Sequence, residues 1–204
     1  MRAQYNELLS RYSLPAQLDP LLGRTLVVVA HMDDETIAGG GLMQFMREPC
    51  VVFATDGAPA DEYFWKKHGS RDAYARMRQQ EARAALQAVG VQNIRFLRES
   101  EMKPYEFADQ QLYLALPRAF DEIHEFALGF KPDALLTLTY EGGHPDHDCA
   151  GFLASRLGAT LHVPVFESPL YHRIDGQPHF QEWMSDSGNG VDLHIKDDVL
   201  VRKR

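Results

Sequence analysis

Two short clusters of histidine and aspartate residues carry most of the chemistry that this sequence can support. Residues 31–35 read His-Met-Asp-Asp-Glu, and residues 144–147 read His-Pro-Asp-His. Each cluster comes shortly after an apolar run, residues 25–30 and 134–138, of the kind that forms a buried parallel strand. Loops at the carboxyl ends of such strands meet where the strand order of an α/β sheet reverses. We therefore expect the two clusters to form one site.

The residue types in these clusters are those of a metal site. Residues three apart share a face of a helical turn, so His31 and Asp34 can bind one ion while Asp33 is rotated about 100° away. An imidazole nitrogen and a carboxylate oxygen suit Zn²⁺ at about 2.0–2.2 Å. With His147 as the candidate third ligand, one position remains for water, which is typical of a catalytic zinc site. Asp33 is then the candidate general base.

The second cluster also offers an acid. His144 lies one helical turn from His147, so we expect its imidazole to face the same cavity without binding the metal. Asp146 is the candidate carboxylate that holds His144 in one tautomer and raises its pKa. A positively charged His144 would stabilise an oxyanion or protonate a leaving amine. Asp33, His144 and Asp146 are therefore the predicted catalytic residues.

Simpler interpretations compete with these assignments. The carboxylates of residues 33–35 could merely cap a helix and complement its dipole, although His31 and the second cluster weigh against that. A dinucleotide site is disfavoured, because no GxGxxG pattern follows the first strand and the acidic cluster would repel a pyrophosphate. Cys149 is interpreted as a buried helix residue and Asp109 as a helix N-cap. The aromatic residues 63–65 fit either a sugar-stacking lid or a hydrophobic anchor.

The composition excludes several classes of protein. The chain has 204 residues, 45% of them hydrophobic, which fits a single domain over residues 1–204. A net charge of -8, with 21 basic and 29 acidic residues, argues against a nucleic-acid partner. We see neither a signal peptide nor a membrane span, and Cys50 and Cys149 form no disulfide framework. A cytoplasmic protein is expected, and homo-oligomerisation stays open.

The order of elements predicts an α/β fold. Apolar runs and helical periodicity alternate along the chain, which implies a Rossmann-like, mostly parallel sheet with helices on both faces. The predicted strands cover residues 24–30, 51–55, 94–97, 134–138 and 163–166, with an edge strand at 191–195. The predicted helices cover residues 36–46, 72–89, 110–128 and 148–157. Three glycines, residues 39–41, are interpreted as a site of close helix–strand packing.

These motifs also resemble a known family. The segments AHMDDE, followed by AGGG, and HPDHDCAG are similar to the AHPDDE and HPDH patterns of the PIG-L / LmbE-like superfamily of zinc-dependent N-acetylglucosaminyl deacetylases. The likeness includes the turn at residues 55–57 and the helix that carries Arg78. It implies an enzyme that removes an N-acetyl or other N-acyl group from an amino sugar or glycoconjugate. The implied roles are metal ligand for His31, Asp34 and His147, base for Asp33, acid or electrophile for His144, its partner for Asp146, and sugar contact for Arg78.

The sequence departs from the family pattern at three places. Met32 stands where the family has proline, which should loosen the turn, and Gly142 stands where some members carry a mobile tyrosine. Members also commonly continue past Arg204, so we expect the domain to be truncated at its C-terminus. Two other functions remain open: a metal-dependent hydrolase of another amide or ester, and a catalytically silent sugar-binding module. Another divalent metal could replace Zn²⁺.

Overall fold

Five parallel strands form the central sheet of the computed structural model, which describes residues 14–97, 107–184 and 190–194. The strands are β1 (Arg24–Val29), β2 (Glu48–Phe53), β3 (Asn93–Phe96), β4 (Ala134–Leu138) and β5 (Val165–Ser168). Their spatial order is β3-β2-β1-β4-β5. Strands β2 and β3 lie on one side of β1, and strands β4 and β5 lie on the other side. The strand order therefore reverses between β1 and β4, the two strands that precede the clusters.

Helices connect the strands. The α-helices are α1 (Asp34–Gly39), α2 (Glu62–Trp65), α3 (Arg71–Ala88), α4 (Leu116–Phe130) and α5 (Pro145–Leu161). Short 3₁₀ helices occupy Ala16–Leu22, Leu42–Phe45, Lys66–His68 and Leu112–Leu114. Among the described residues, none of these helices is long and apolar enough to cross a membrane.

Alternate residues of the strands build two cores, one on each face of the sheet. Val27 and Val29 of β1 pack in the core that contains Leu86 of α3. Leu26 belongs to the opposite core, with Ile123 of α4 and Leu153 of α5 among its members. Because both faces are covered, the central strands β1 and β4 are buried along nearly their whole length rather than at alternate residues. The predicted α/β fold with a parallel sheet and helices on both faces is confirmed.

Several predicted boundaries were wrong. The helix predicted over residues 36–46 is split into α1 and the 3₁₀ helix Leu42–Phe45, with glycines at the break. A Cβ at Gly39 would lie 3.0 Å from Leu136 of β4, which agrees with the close packing expected of these glycines. The helix predicted to begin at residue 110 begins as α4 at Leu116. The helix predicted from residue 148 begins at Pro145, whose fixed φ suits a first helical turn.

The last described part of the chain contains a hairpin that the sequence patterns did not predict. Strands β6 (Tyr171–Ile174) and β7 (Gln177–Phe180) pair antiparallel and form a second, separate sheet. Residues 191–194 of the predicted edge strand are not in a strand, and residue 195 lies outside the described residues. The first 13 residues also lie outside them.

Candidate metal centre

The two clusters meet at the carboxyl edge of the sheet. His31 follows β1 and His147 lies in the first turn of α5, after the neighbouring strand β4. Nδ1 of His31 lies 3.2 Å from Nε2 of His147. Nε2 of His147 is 3.3 Å from Oδ1 of Asp34, and Nδ1 of His31 is 3.6 Å from Oδ2 of the same carboxylate. The three donor groups that the sequence suggested therefore converge.

This arrangement fits a bound divalent cation. Two donor atoms that each lie 2.0–2.2 Å from a tetrahedral ion are separated by about 3.4 Å. Nε2 of His147 lies 3.2 Å from Nδ1 of His31 and 3.3 Å from Oδ1 of Asp34, both close to that value, while the 3.6 Å contact of His31 is with Oδ2, the other oxygen of Asp34. Asp34 and His147 are also nearly inaccessible to solvent, with 2% and 4% exposure. Buried donors at these spacings are what an ion with three protein ligands requires.

The local backbone orients Asp34. Its Oδ2 accepts hydrogen bonds from the amides of Ala30 and His31, over 3.1 and 2.8 Å. These bonds hold the carboxylate so that Oδ1 faces His147. Burial by itself would raise the pKa of Asp34, but its interactions with His147 and His31 lower the pKa overall. The carboxylate is therefore ionised, as a metal ligand must be.

The second nitrogen of His31 faces two further carboxylates. Its Nε2 lies 3.1 Å from Oδ1 of Asp109 and 3.2 Å from Oδ2 of Asp146. Burial would lower the pKa of His31, but these two carboxylates and Asp34 raise it to about 10. Positive charge is thus favoured at this imidazole in the absence of an ion, and a cation that bound at Nδ1 would displace the proton there. A carboxylate on the outer nitrogen of a metal-binding histidine is also a common device for orienting the ring.

A second donor group overlaps the first. His31, Asp109, His144 and Asp146 each offer one ligand atom, and these atoms lie within 4.8 Å of one another. The imidazoles of His31, His144 and His147 form another such set. His31 and His144 are common to both sets, and Asp34 belongs to neither.

The expected contact between Asp146 and His144 was wrong. His144 caps α5 by accepting a hydrogen bond at Nδ1 from the Asp146 amide over 3.2 Å. The buried Asp146 side chain points elsewhere, accepting from the amides of Gln110 and Leu112 over 2.5 and 3.1 Å and contacting His31. The cap geometry causes this, because it directs the imidazole along the start of the helix and the carboxylate into the protein.

The expected direction of the His144 pKa was also wrong. Burial and the neighbouring imidazoles of His31 and His147 lower the pKa of His144. The carboxylates of Asp146 and Asp109 act in the opposite sense but do not prevail. Nε2 of His144 lies 3.9 Å from Oδ1 of Asp109, which is therefore its nearer carboxylate partner.

Asp33 lies beside the three donors and is held by an arginine. Its side chain is 56% exposed, and its Oδ2 accepts a hydrogen bond from Nη2 of Arg78 over 3.0 Å. Arg78 also donates to the carbonyl of Met32 and to Glu81. Burial and the nearby Asp34 raise the pKa of Asp33, while Arg78 acts to lower it. The guanidinium predicted to contact a sugar is thus paired with the predicted base.

Sequence reasoning missed Asp109. It was interpreted as a helix N-cap, but the α4 cap is Ala115, and Oδ1 of Asp109 is buried without a properly oriented hydrogen bond among the described residues. Its amide donates to Asp56 over 3.3 Å, and Asp56 forms two hydrogen bonds with Arg71 over 2.6 and 2.9 Å. The turn at Asp56 follows β2 at the same edge of the sheet as the two clusters. This position of Asp56 was the one feature of the sequence that pointed to a further carboxylate near the site.

The aromatic residues 63–65 were expected to form either a sugar-stacking lid or a hydrophobic anchor, and each interpretation fits some of them. Trp65 donates a hydrogen bond from Nε1 to the carbonyl of Pro59 over 3.1 Å, so it anchors its loop. Tyr63 and Phe64 are 69% and 46% exposed and remain available to a ligand. Cys149 is a buried, free cysteine on α5, as expected.

Fold and site together define a class of protein: a doubly wound α/β domain with a cluster of histidines and carboxylates that could hold a metal ion at its topological switch point. The model of the family described as GlcNAc-PI de-N-acetylase, PIG-L, matches residues 26–157. The chain therefore belongs to this family.

Known proteins resemble the chain over most of its length. The probable N-acetyl-alpha-D-glucosaminyl L-malate deacetylase 2 of Bacillus cereus is 27% identical over 154 residues, which cover 73% of this chain and 66% of that protein. The N,N'-diacetylchitobiose deacetylase of Pyrococcus horikoshii has a TM-score of 0.56 and 24% identity, covering 78% of this chain and 58% of the other. A triple mutant of the deacetylase involved in the teicoplanin biosynthetic pathway has a TM-score of 0.64 and 19% identity, with coverages of 88% and 78%. The chain thus spans less than two thirds of the first two proteins.

Proposed function

We propose that this protein is a metal-dependent hydrolase that removes an N-acetyl or other N-acyl group from an amino sugar or glycoconjugate. The observation that carries the proposal is the convergence of His31, Asp34 and His147 to separations of 3.2–3.6 Å. Membership of the PIG-L family and the 27% identity to a protein described as a probable deacetylase support the same reaction.

His31, Asp34 and His147 would hold Zn²⁺ or another divalent ion. When bound, such an ion polarises an acyl carbonyl and lowers the pKa of a water molecule. Two imidazole nitrogens and one carboxylate oxygen are a common ligand set for catalytic zinc. Because three protein ligands leave the ion open to substrate, the site suits hydrolysis better than a purely structural role.

Asp33 is proposed as the general base. It is the exposed carboxylate next to the proposed ligand Asp34 in the sequence, and its Oδ2 accepts a hydrogen bond from Arg78. Burial and Asp34 raise its pKa, which makes the carboxylate a better proton acceptor than an ordinary aspartate. Asp33 would take a proton from the attacking water, and Arg78 would hold its carboxylate in place.

His144 is proposed as the group that stabilises the negative charge that develops on the acyl oxygen of the substrate. It caps α5 through Nδ1, so its proton would be on Nε2, which lies 3.9 Å from Oδ1 of Asp109. The Nε2 proton would stabilise the acyl oxygen, and the proton that Asp33 takes from the attacking water would pass to the departing amine. Arg78 is proposed to lie beside the sugar, next to Asp33.

The remaining parts of the proposal concern the setting of the enzyme. Its partner would be a small-molecule N-acyl sugar or glycoconjugate, and its location would be the cytoplasm. Residues 1–204 would all belong to a single domain.

A substrate panel tests the proposed reaction. Zinc-loaded protein is incubated with N-acetylated amino sugars, with simple N-acetyl amides and with acetyl esters, and both acetate and free amine are measured. We expect equal amounts of acetate and amine from at least one amino sugar. Release only from the amides or esters would favour another hydrolase, and sugar binding without release would favour a silent binding module.

A further inference from the structure

A buried carboxylate outside the proposed ligand set joins the second cluster to the hairpin. Glu141 is 5% exposed and lies in the loop between β4 and α5. Its Oε2 accepts hydrogen bonds from the amides of Leu170 and Tyr171, each over 2.9 Å. Its Oε1 lies 3.4 Å from Nδ1 of the buried His172. The carboxylate therefore fastens the start of β6 to the loop that leads into His144.

The loop that carries Glu141 is itself held closely on both sides. Oδ1 of Asp148 accepts hydrogen bonds from the amides of Glu141 and Gly142, over 3.1 and 3.2 Å. On the other side, a Cβ at Gly143 would collide with the carbonyl oxygen of Tyr171 and lie 3.2 Å from its ring. Only glycine permits this approach, so the hairpin backbone rests directly on the loop.

The consequence of this attachment is the position of the Tyr171 ring. The ring meets His147 edge to face, with 5.3 Å between the ring centroids and 75° between the planes. Within the described residues, its hydroxyl has no hydrogen-bond partner.

We propose that Glu141 is a positioning residue that acts through Tyr171, and that Tyr171 contacts the substrate as one wall of the candidate site. The inference rests on the proposed function, since the substrate in question is an N-acyl sugar. A carboxylate oxygen that accepts hydrogen bonds from two adjacent amides holds both of their peptide units in place. A tyrosine presents both an apolar face and a hydroxyl donor, which match the C–H face and the oxygens of a sugar.

The first test measures the ring position in zinc-loaded protein by NMR. Glu141→Met keeps the length of the side chain but removes the acceptor, so the nuclear Overhauser contact between Tyr171 and His147 ring protons should be lost. Glu141→Gln keeps one acceptor oxygen and should retain the contact. The control His172→Phe removes the other neighbour of Glu141 and should retain it as well. A contact that persists in Glu141→Met would overturn the inference.

The second test is a double-mutant cycle on hydrolysis of the N-acyl sugar. If Glu141 acts through Tyr171, Glu141→Met should lower kcat/KM about tenfold in the parent, a size typical of a misplaced contact. In the Tyr171→Ala background the same change should alter kcat/KM less than about twofold, because the two residues act as a unit. Equal losses in both backgrounds would overturn the inference.

A second variant reaches the same ring without touching the carboxylate. Gly143→Ala should displace the Tyr171 backbone, because the added Cβ would collide with its carbonyl oxygen, so the nuclear Overhauser contact between the Tyr171 and His147 rings should be lost. If Glu141→Met does not fold, a contact that persists in Gly143→Ala would overturn the inference. A parent protein that releases amine from no N-acyl sugar would contradict the proposed function, while the NMR comparison would still decide whether Glu141 positions Tyr171.

Discussion

Arg78 donates a hydrogen bond from Nη2 to Oδ2 of Asp33, with 3.0 Å between the two atoms. The same guanidinium donates to the carbonyl of Met32. Arg78, on α3, therefore fixes both the backbone and the side chain of the first cluster. Its charge acts directly on the proposed base.

Removing this charge should change the pH dependence of the reaction. Burial and Asp34 raise the pKa of Asp33, and Arg78 opposes them. Arg78→Met should therefore raise that pKa further. Because the base works in its ionised form, the acidic limb of the kcat/KM profile should move to higher pH. The exposed Arg76 of the same helix gives the control Arg76→Met, and an acidic limb that moves equally in both variants, or in neither, would contradict the pairing.

Variants of Asp33 and Asp34 should distinguish the proposed general base from the proposed metal ligand. Asp33→Asn removes the proton acceptor but no proposed ligand, so metal content should persist while kcat falls roughly 10²- to 10⁴-fold. Asp34→Asn is the matched control and should lose the metal, because the amide is a poor substitute for a buried carboxylate ligand. Metal analysis of the two purified variants checks this, and metal loss in Asp33→Asn would make Asp33 a ligand.

Asp146 should act mainly on metal affinity. Its carboxylate lies 3.2 Å from Nε2 of His31, the nitrogen on the far side of the proposed ligand atom. Asp146→Asn should weaken metal binding about 10- to 100-fold, the usual cost of losing such a partner. Competition with a chelator measures the affinity. The control Asp148→Asn keeps an acceptor for the loop amides and should bind metal as the parent does. Equal metal affinities in the parent, Asp146→Asn and Asp148→Asn would refute the role of Asp146 in metal binding.

Burial of Phe53 in the core should contribute strongly to stability. Phe53 is fully buried and stacks on Phe96, with 5.0 Å between ring centroids. Phe53→Ala should lower the free energy of unfolding by about 3–5 kcal/mol through lost burial and a cavity. Phe152 is 59% exposed, so Phe152→Ala should change it by less than about 0.5 kcal/mol. Urea denaturation monitored by circular dichroism compares the two, and similar losses would contradict the assigned core.

The sequence predicted the parts of the site that depend on strand ends. His31 and His147 follow apolar runs that could only be buried strands, and the rule for open α/β sheets brings such ends together. Asp34 followed from its spacing to His31. These inferences use only the pattern of apolar residues along short segments and one rule for the order of strands in a sheet. Both can be applied to a sequence without a structure.

Side-chain direction could not be predicted in the same way. Asp146 was assigned to His144 because the two residues are near in sequence, but the cap at His144 turns the carboxylate toward His31. Asp109 reaches the site through a bond between its amide and Asp56, residues that lie 53 positions apart. The attachment of Tyr171 to Glu141 likewise joins two segments with no shared pattern. Such contacts depend on tertiary packing.

Metal reconstitution tests the central claim most directly. The protein is stripped with a chelator, Zn²⁺ is added back in measured steps, and acetate release from an active N-acetyl sugar is followed alongside bound zinc. The account predicts that release is abolished by stripping and returns fully at about one ion per chain. His147→Ala should bind no ion at this level, whereas His144→Ala should bind one ion without recovering activity. Full acetate release by the stripped protein, or equal zinc binding by the two histidine variants, would contradict the account.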